Sequence, residues 1–255
     1  MADSVWPAIH TERAALIADL EGLTPEQWAT PSLCEGWSVL QVAAHNLSTA
    51  KTTPAGFFAG LLGAGFSFDK FAANGVTKES KGGVAGTLEG LRSVLNATKA
   101  PPGPKVSFRG EELIHGEDIR RPLGIKREYP IDAVLKTLDF YKGSNLIVGT
   151  KKRITGVTLK ATDADWSIGS GPLVEGPAMS LLMAATGRKT VLDDLEGPGV
   201  YLLRGRCWTS PHPCWSRVSQ TLQRSSLRLP PRRSSAPPPP RPVATGPSGG
   251  PPPAS

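Results

Sequence analysis

The 255-residue sequence predicts an α+β protein: a bundle of about four helices, then a small α+β unit, then a disordered tail. Three observations support this prediction. Apolar residues recur at helical spacing through residues 1–150. An alternating apolar and polar pattern typical of a strand follows within residues 151–206. The last 49 residues, 207–255, contain 13 of the 25 prolines and no persistent period.

The first 150 residues contain four or five amphipathic segments, which we expect to pack as an antiparallel four-helix bundle. Two capping boxes, Thr24 with Gln27 and Ser38 with Gln41, mark helix starts, because each hydroxyl can accept from a backbone N–H three residues on. The predicted segments are a helix over residues 11–23, a short turn over 24–28, a helix over 38–50, short helices over 54–63 and 67–73, and helices over 87–97, 108–121 and 132–141.

Residues 151–206 predict the small α+β unit. Val157, Leu159 and Ala161 alternate with polar residues, which indicates a strand over residues 154–161. The other predicted elements are a strand over residues 165–174, a short apolar helix over 176–186 and a last strand over 200–203.

The tail is the source of the positive charge. Residues 207–255 contain six arginines and no lysine or acid, so without them 23 basic residues face 22 acidic ones in a chain of net charge +7. A nearly neutral body gives no sign of a nucleic-acid-binding surface, and the proline-rich, serine-rich tail is predicted to be disordered. We interpret it either as the product of a frameshift in GC-rich DNA, which would truncate the α+β unit, or as a natural basic tail.

The sequence also indicates where in the cell the protein is located. Three cysteines exclude a disulfide-stapled scaffold. The longest apolar run, residues 54–66, is shorter than the ~18 residues that span a bilayer. The amino terminus lacks the pattern of a signal peptide. We therefore expect a cytoplasmic protein with no membrane partner.

Two of the four histidines, His45 and His115, follow apolar residues inside predicted helices, whereas His10 and His212 are expected to be solvated. Glu111 lies four residues before His115, so their side chains share one helix face. Two ligands at that distance can converge on one ion, and His45 is the candidate third ligand from another helix.

His, Glu and His plus a water is the open arrangement of a catalytic zinc site. Asp118, three residues after His115, is a candidate for orienting that imidazole from behind. Two alternatives remain at this point. In the first, Glu112, one position further along, supplies the carboxylate instead of Glu111. In the second there is no metal site: Glu111 and His115 form an ordinary i,i+4 helix pair, and His45 is a core residue.

The other reactive or aromatic residues have structural interpretations. Cys34 lies in a polar loop, and its neighbour Glu35 disfavours the thiolate, so we expect a structural or incidental thiol. Cys207 and Cys214 lie in the tail without a convincing zinc spacing. Trp28 and Trp37 bracket the loop and are predicted to anchor it by packing.

Long stretches of the sequence resemble a known family. Glu12 and Arg13, the string QWATPSLCEGWSV at residues 27–39 and VAAH at 42–45 are similar to the amino-terminal segment of the mycothiol-dependent maleylpyruvate isomerase family, a group of DinB-like four-helix metalloproteins. EELIHGEDIRRPLG at residues 111–124 resembles its second metal motif. Residues 165–188 resemble the start of its small carboxyl-terminal domain.

The resemblance implies a divalent metal, usually zinc, held by His45, Glu111 and His115. It also implies mycothiol, a low-molecular-weight thiol, as cosubstrate. In the isomerase the thiolate adds to an activated double bond, rotation follows, and the thiol is expelled. Two features depart from the family pattern: Asn46 stands where an apolar residue is usual, and the similarity ends near Arg206.

Three functions follow as hypotheses. The first is a metal-dependent, thiol-using isomerase or S-transferase that acts on a small electrophilic substrate. The second is a metal- or thiol-binding protein without catalysis, or an inactive paralogue with a frameshifted carboxyl terminus. The third, nucleic-acid binding through the basic tail, predicts steeply salt-dependent binding that truncation at Arg206 abolishes.

Overall fold

The computed structural model describes residues 5–145 and 149–206 together with Gly250. The predicted disordered tail lies outside the described residues apart from that glycine, and so do His212, Cys207 and Cys214. Among the described residues, no helix is both long enough and apolar enough to cross a membrane.

Within the described residues 5–145, eight helices form the first part of the chain: α1 (Trp6–Glu21), α2 (Pro25–Ala29), α3 (Val39–Lys51), α4 (Pro54–Gly63), α5 (Phe68–Glu79), α6 (Gly83–Ser93), α7 (Lys105–Arg120) and α8 (Ile131–Tyr141). The second part contains α9 (Thr150–Ile154), β1 (Thr158–Ala161), β2 (Ser167–Gly169), β3 (Leu173–Gly176), α10 (Ala178–Ala185) and α11 (Gly199–Gly205). Short 3₁₀ helices follow α7 at Arg121–Leu123 and α10 at Lys189–Asp194. The α+β class is confirmed, whereas the division of the chain at residue 150 stays a prediction.

Both predicted capping boxes are present. At the start of α3, Gln41 N donates to Ser38 Oγ at 3.4 Å, and Ser38 N donates to Gln41 Oε1 at 2.9 Å. These bonds satisfy two backbone donors that the first turn of a helix otherwise leaves free. The cap therefore sets where α3 begins, and with it the position of His45 two turns later.

Several helix boundaries differ from the prediction. The first helix begins at Trp6 rather than at residue 11, because its start carries no side-chain cap that the sequence could reveal. As a result His10 lies inside α1. Helix α5 continues to Glu79 rather than to residue 73, and α6 spans Gly83–Ser93 rather than residues 87–97.

The sheet also corrects the sequence analysis. The segment predicted as one strand over residues 165–174 forms two, and β1 lies between them, antiparallel to β2 and parallel to β3. Gly169 and Gly171 make this reversal with φ of 91° and 126°. A Cβ at these positions would lie 2.2 and 2.4 Å from the carbonyl oxygens of Val157 and Gly156, so only glycine fits.

The predicted last strand over residues 200–203 is wrong, since these residues lie in α11. A short apolar run does not distinguish a strand from a buried helix by periodicity alone. The strand predicted over residues 154–161 is shorter in the structure, because Ile154 ends α9 and β1 begins only at Thr158.

Two apolar clusters stabilise the molecule. The amino-terminal core consists mainly of buried side chains from α1, α3 and α6 and includes Leu20, Leu47 and Leu91. The carboxyl-terminal core consists of buried side chains from α8, the sheet and α10. Helix α7 contributes to both, because Ile119 packs into the first core and Leu113 into the second. The residues of α7 are therefore held from two sides.

The contact between α7 and α8 depends on Gly110. A Cβ there would lie 2.4 Å from the hydroxyl of Tyr141, which is buried and donates to the carbonyl of Ser107. We expect Gly110→Ala to lower the free energy of unfolding by about 1–3 kcal/mol through overpacking. Urea denaturation measures this change.

The matched control is Gly86→Ala in α6, where a Cβ meets nothing within 4 Å. This change is expected to raise the free energy of unfolding by roughly 0.5–1 kcal/mol, because alanine favours a helix interior. Equal effects at the two glycines would contradict the close approach of Tyr141.

Candidate metal centre

The structure brings His45, Glu111 and His115 together between α3 and α7. Oε2 of Glu111 lies 3.3 Å from Nε2 of His45 and 3.3 Å from Nε2 of His115. One ligand atom from each residue lies within 4.8 Å of the others. The two imidazole rings are nearly perpendicular, with centroids 4.9 Å apart. Three donors from two helices therefore face one point.

The cluster has one open side. The side chain of His115 is 5% exposed, whereas those of His45 and Glu111 are 17% and 28% exposed. Solvent or a small molecule can therefore approach the carboxylate while the ring of His115 stays enclosed.

Helix α1 distinguishes the surroundings of the two glutamates. Oε1 of Glu112 accepts from Nε of Arg13 at 2.7 Å, and both side chains are buried. Burial raises the pKa of Glu112, although Arg13 opposes this shift. Glu112 thus faces α1 in an ion pair, and Glu111 is the carboxylate that faces the histidines.

A second group lies behind His115. Its Nδ1 is 2.9 Å from Oδ2 of Asp118, which is fully buried. The same carboxylate accepts from Nε of Arg188 at 2.9 Å and from the other arm of that guanidinium. The sulfur of Cys34 lies 3.0 Å from Oδ2 of Asp118 and 3.6 Å from Nδ1 of His115. Cys34, His115 and Asp118 thus form a second set of grouped donor atoms that shares only His115 with the first.

The pKa values of the two histidines are shifted in opposite directions. Burial lowers the pKa of His45, against the hydrogen bond with Glu111. Burial also acts to lower the pKa of His115, but Cys34, Asp118 and Glu111 outweigh it and raise the pKa well above its usual value.

Both carboxylates favour the ionised form in spite of burial. The pKa of Glu111 would rise through burial, yet hydrogen bonds with the two histidines hold it well below its usual value. The pKa of Asp118 is likewise lowered against its burial, by the charge of Arg188 and its hydrogen bonds. The two ring nitrogens of His115 thus face one carboxylate each, Asp118 at Nδ1 and Glu111 at Nε2, and a metal ion on Nε2 would take the place of a proton there.

The structure also places the two tryptophans and His10. Trp28 and Trp37 are buried in the amino-terminal core, which confirms their packing role, and the Trp37 ring lies 5.3 Å from that of His45. The prediction of a solvated His10 is wrong, because this residue is half-buried, stacks on Trp6 and has Nε2 3.3 Å from the carbonyl of Ala97.

Sequence reasoning missed two members of the group. The sequence predicts Cys34 in a polar loop without a link to the histidines, and Arg188 only ends a stretch that resembles the family. Arg188 lies 70 residues from Asp118 along the chain, and no local spacing connects them. The one signal for a buried thiol in the sequence is that Cys34 follows the apolar Leu33 and lies between Trp28 and Trp37.

The fold and the grouped side chains define a helical protein with a His/Glu/His cluster between two helices and a small α+β unit behind it. Residues 9–100 match the family model of the mycothiol maleylpyruvate isomerase N-terminal domain. This part of the chain is therefore similar to that domain, and the match includes His45 but ends before Glu111. No protein of curated function matches the chain in sequence.

Two solved structures share the fold. A crystal structure of the mycothiol-dependent maleylpyruvate isomerase aligns with a TM-score of 0.51 at 14% identity, and that of a histidine-to-alanine mutant with 0.53 at 13% identity. Each comparison covers 81% of this chain and 95% of the other. The resemblance noted in the sequence is confirmed, by the family model over residues 9–100 and by the shared fold.

The departure at Asn46 has an energetic consequence. This side chain is buried, and neither Nδ2 nor Oδ1 has a hydrogen-bond partner among the described residues. An unpaired buried amide costs about 1–3 kcal/mol. We therefore expect Asn46→Leu to raise the free energy of unfolding by about that amount, measured by urea denaturation.

The control is Asn96→Leu, since Asn96 is exposed and its change should alter the free energy of unfolding by less than about 0.5 kcal/mol. A loss of stability on Asn46→Leu would show that the amide makes a stabilising contact.

Proposed function

We propose that this chain is a metal-dependent enzyme that uses a thiol cosubstrate, of the mycothiol-dependent isomerase or S-transferase type, and that His45, Glu111 and His115 hold the metal. The observation that carries this proposal is the spacing of the donor atoms. Metal–ligand bonds of ~2.0–2.1 Å in a tetrahedron place ligand atoms about 3.3–3.4 Å apart. The two measured separations to Oε2 of Glu111 are both 3.3 Å.

The donor set favours zinc. Two imidazole nitrogens and one carboxylate oxygen suit Zn²⁺, and three protein ligands leave a fourth position open. When bound, the ion supplies a Lewis acid and lowers the pKa of a thiol that coordinates to it. With the one charge of Glu111, a bound divalent ion would carry a net charge of +1, which a thiolate would neutralise.

The residues of the chain prepare the site for this role. Asp118 accepts a hydrogen bond at Nδ1 of His115, so that Nε2 presents its lone pair to the cluster. Arg188 balances the charge of Asp118, which keeps this carboxylate ionised in a buried place. The exposed part of Glu111 marks the side from which thiol and substrate enter.

The proposal includes the partners and the compartment. The substrate is a small electrophile, and the cosubstrate is a low-molecular-weight thiol such as mycothiol, because the matched domain family and the matched structures both carry that thiol in their names. We propose a cytoplasmic location, where such thiols stay reduced.

The ligand assignment predicts the metal content of variants. The wild type is expected to bind one ion per chain at saturation, and His45→Ala, His115→Ala and Glu111→Gln to fall well below that value in elemental analysis. His10→Ala and Glu112→Gln are the matched controls, because these residues lie outside the cluster, and both are expected to keep the metal. Unchanged metal content in both histidine variants would refute the assignment.

The reaction is tested with the zinc-loaded full chain, mycothiol and maleylpyruvate, with isomerisation followed by ultraviolet absorbance. A parallel assay replaces maleylpyruvate with 1-chloro-2,4-dinitrobenzene to detect S-transfer. We expect turnover in one of the two assays that requires both the metal and the thiol. Bound metal without turnover in either would favour the non-catalytic metal- or thiol-binding protein.

A further inference from the structure

We propose that Cys34 is a positioning residue of the metal centre, which acts on His115 through Asp118 and neither binds the metal nor reacts. This inference rests on the metal site of the proposed function and adds a residue to its supporting structure. Cys34 belongs to the loop before α3 and is only 1% exposed. Its side chain is therefore enclosed between this loop and the end of α7.

The loop around Cys34 is tied to Asp118 twice. Leu33 N donates to the carbonyl oxygen of Asp118 at 3.0 Å, and the Cys34 sulfur donates to its carboxylate at 3.0 Å. The loop itself is closed by Ser32, whose hydroxyl donates to the carbonyl of Trp37 at 2.7 Å and accepts from Cys34 N at 3.1 Å. Backbone and side chain together therefore hold the sulfur against one carboxylate.

That carboxylate determines the orientation of a ligand. Asp118 Oδ2 is shared between the Cys34 thiol, Nδ1 of His115 and Arg188. A carboxylate with donors on several sides cannot rotate away from the imidazole, so the Nε2 edge of His115 stays directed at the cluster. The thiol thus supplies one of the contacts that keep this carboxylate in place.

The geometry separates Cys34 from the metal ligands. The sulfur faces Nδ1 of His115, whereas the cluster with His45 and Glu111 lies on the Nε2 edge. An ion on Nε2 is on the far side of the ring from the sulfur. The alternative, a cation between Cys34, His115 and Asp118, is disfavoured because the Arg188 guanidinium lies 3.7 Å from the sulfur and bonds to the same carboxylate.

The test compares Cys34→Val, Cys34→Ala and Cys34→Ser in the full chain, with zinc affinity measured by chelator competition. Loss of an outer partner of a metal ligand typically costs 10- to 100-fold in affinity. We expect the valine and alanine variants to bind zinc at least about tenfold more weakly. The serine variant keeps a donor for Asp118 and should restore affinity.

The matched control is Thr87→Val, a buried hydroxyl that donates to the carbonyl of Glu79. It tests whether any loss of a buried donor weakens zinc binding, and we expect no change in affinity. Thermal unfolding of the metal-free variants separates stability from affinity. Should Cys34→Val fail to fold, the alanine and serine pair carries the comparison.

A cobalt-loaded wild type gives a second readout. If Cys34 only positions, the spectrum lacks a sulfur-to-cobalt charge-transfer band, and Cys34→Ser leaves it unchanged. A band that this substitution removes would make Cys34 a ligand and overturn the inference. Wild-type zinc affinity in both Cys34→Val and Cys34→Ala would also overturn it, with the proposed metal site intact. No metal binding by the wild type would defeat both proposals.

Discussion

The structure depends on one constraint, which is that α7 carries several ionisable side chains through the middle of the molecule while apolar cores pack on both sides of it. Glu111, His115 and Asp118 follow one another at intervals of four and three residues, so they align along one face of this helix. Buried charges are costly unless each is paired. The helix meets this requirement with partners from four different places: His45, Cys34, Arg188 and, on another face, Arg13 for Glu112.

This pairing also explains why the candidate site has two sides with different properties. The side toward His45 is partly open and combines two imidazoles with one carboxylate. The side toward Cys34 and Arg188 is closed, and its guanidinium compensates the carboxylate that would otherwise attract a cation. A single ring, that of His115, connects the two sides through its two nitrogens. The closed side therefore determines the orientation of the His115 ring on the open side.

Much of the fold and of the candidate site was predictable from residues that are close together in the sequence. Both capping boxes set helix starts correctly because the donor and acceptor lie three residues apart in the sequence. The i,i+4 spacing of Glu111 and His115 and the turn to Asp118 followed from helix geometry alone. The choice of Glu111 over Glu112 could not be made locally, because it depends on where Arg13 lies in α1.

The remaining errors have the same origin. Arg188 reaches Asp118 across 70 residues, and no periodicity reports such a contact. The burial of Cys34 results from the closure of a loop by Ser32 and Trp37, which a list of polar residues does not suggest. The apolar residues 200–203 are compatible with a strand or a helix. In the structure they belong to α11, which packs beside β3.

The bond between Arg188 and Asp118 joins the two parts of the chain at a fully buried carboxylate of the helical half. Recombination between relatives that exchanged only the segment after α8 would have to supply a guanidinium at the same place, or leave a charged carboxylate enclosed in apolar surroundings. The sequence of one half therefore limits which versions of the other can follow it.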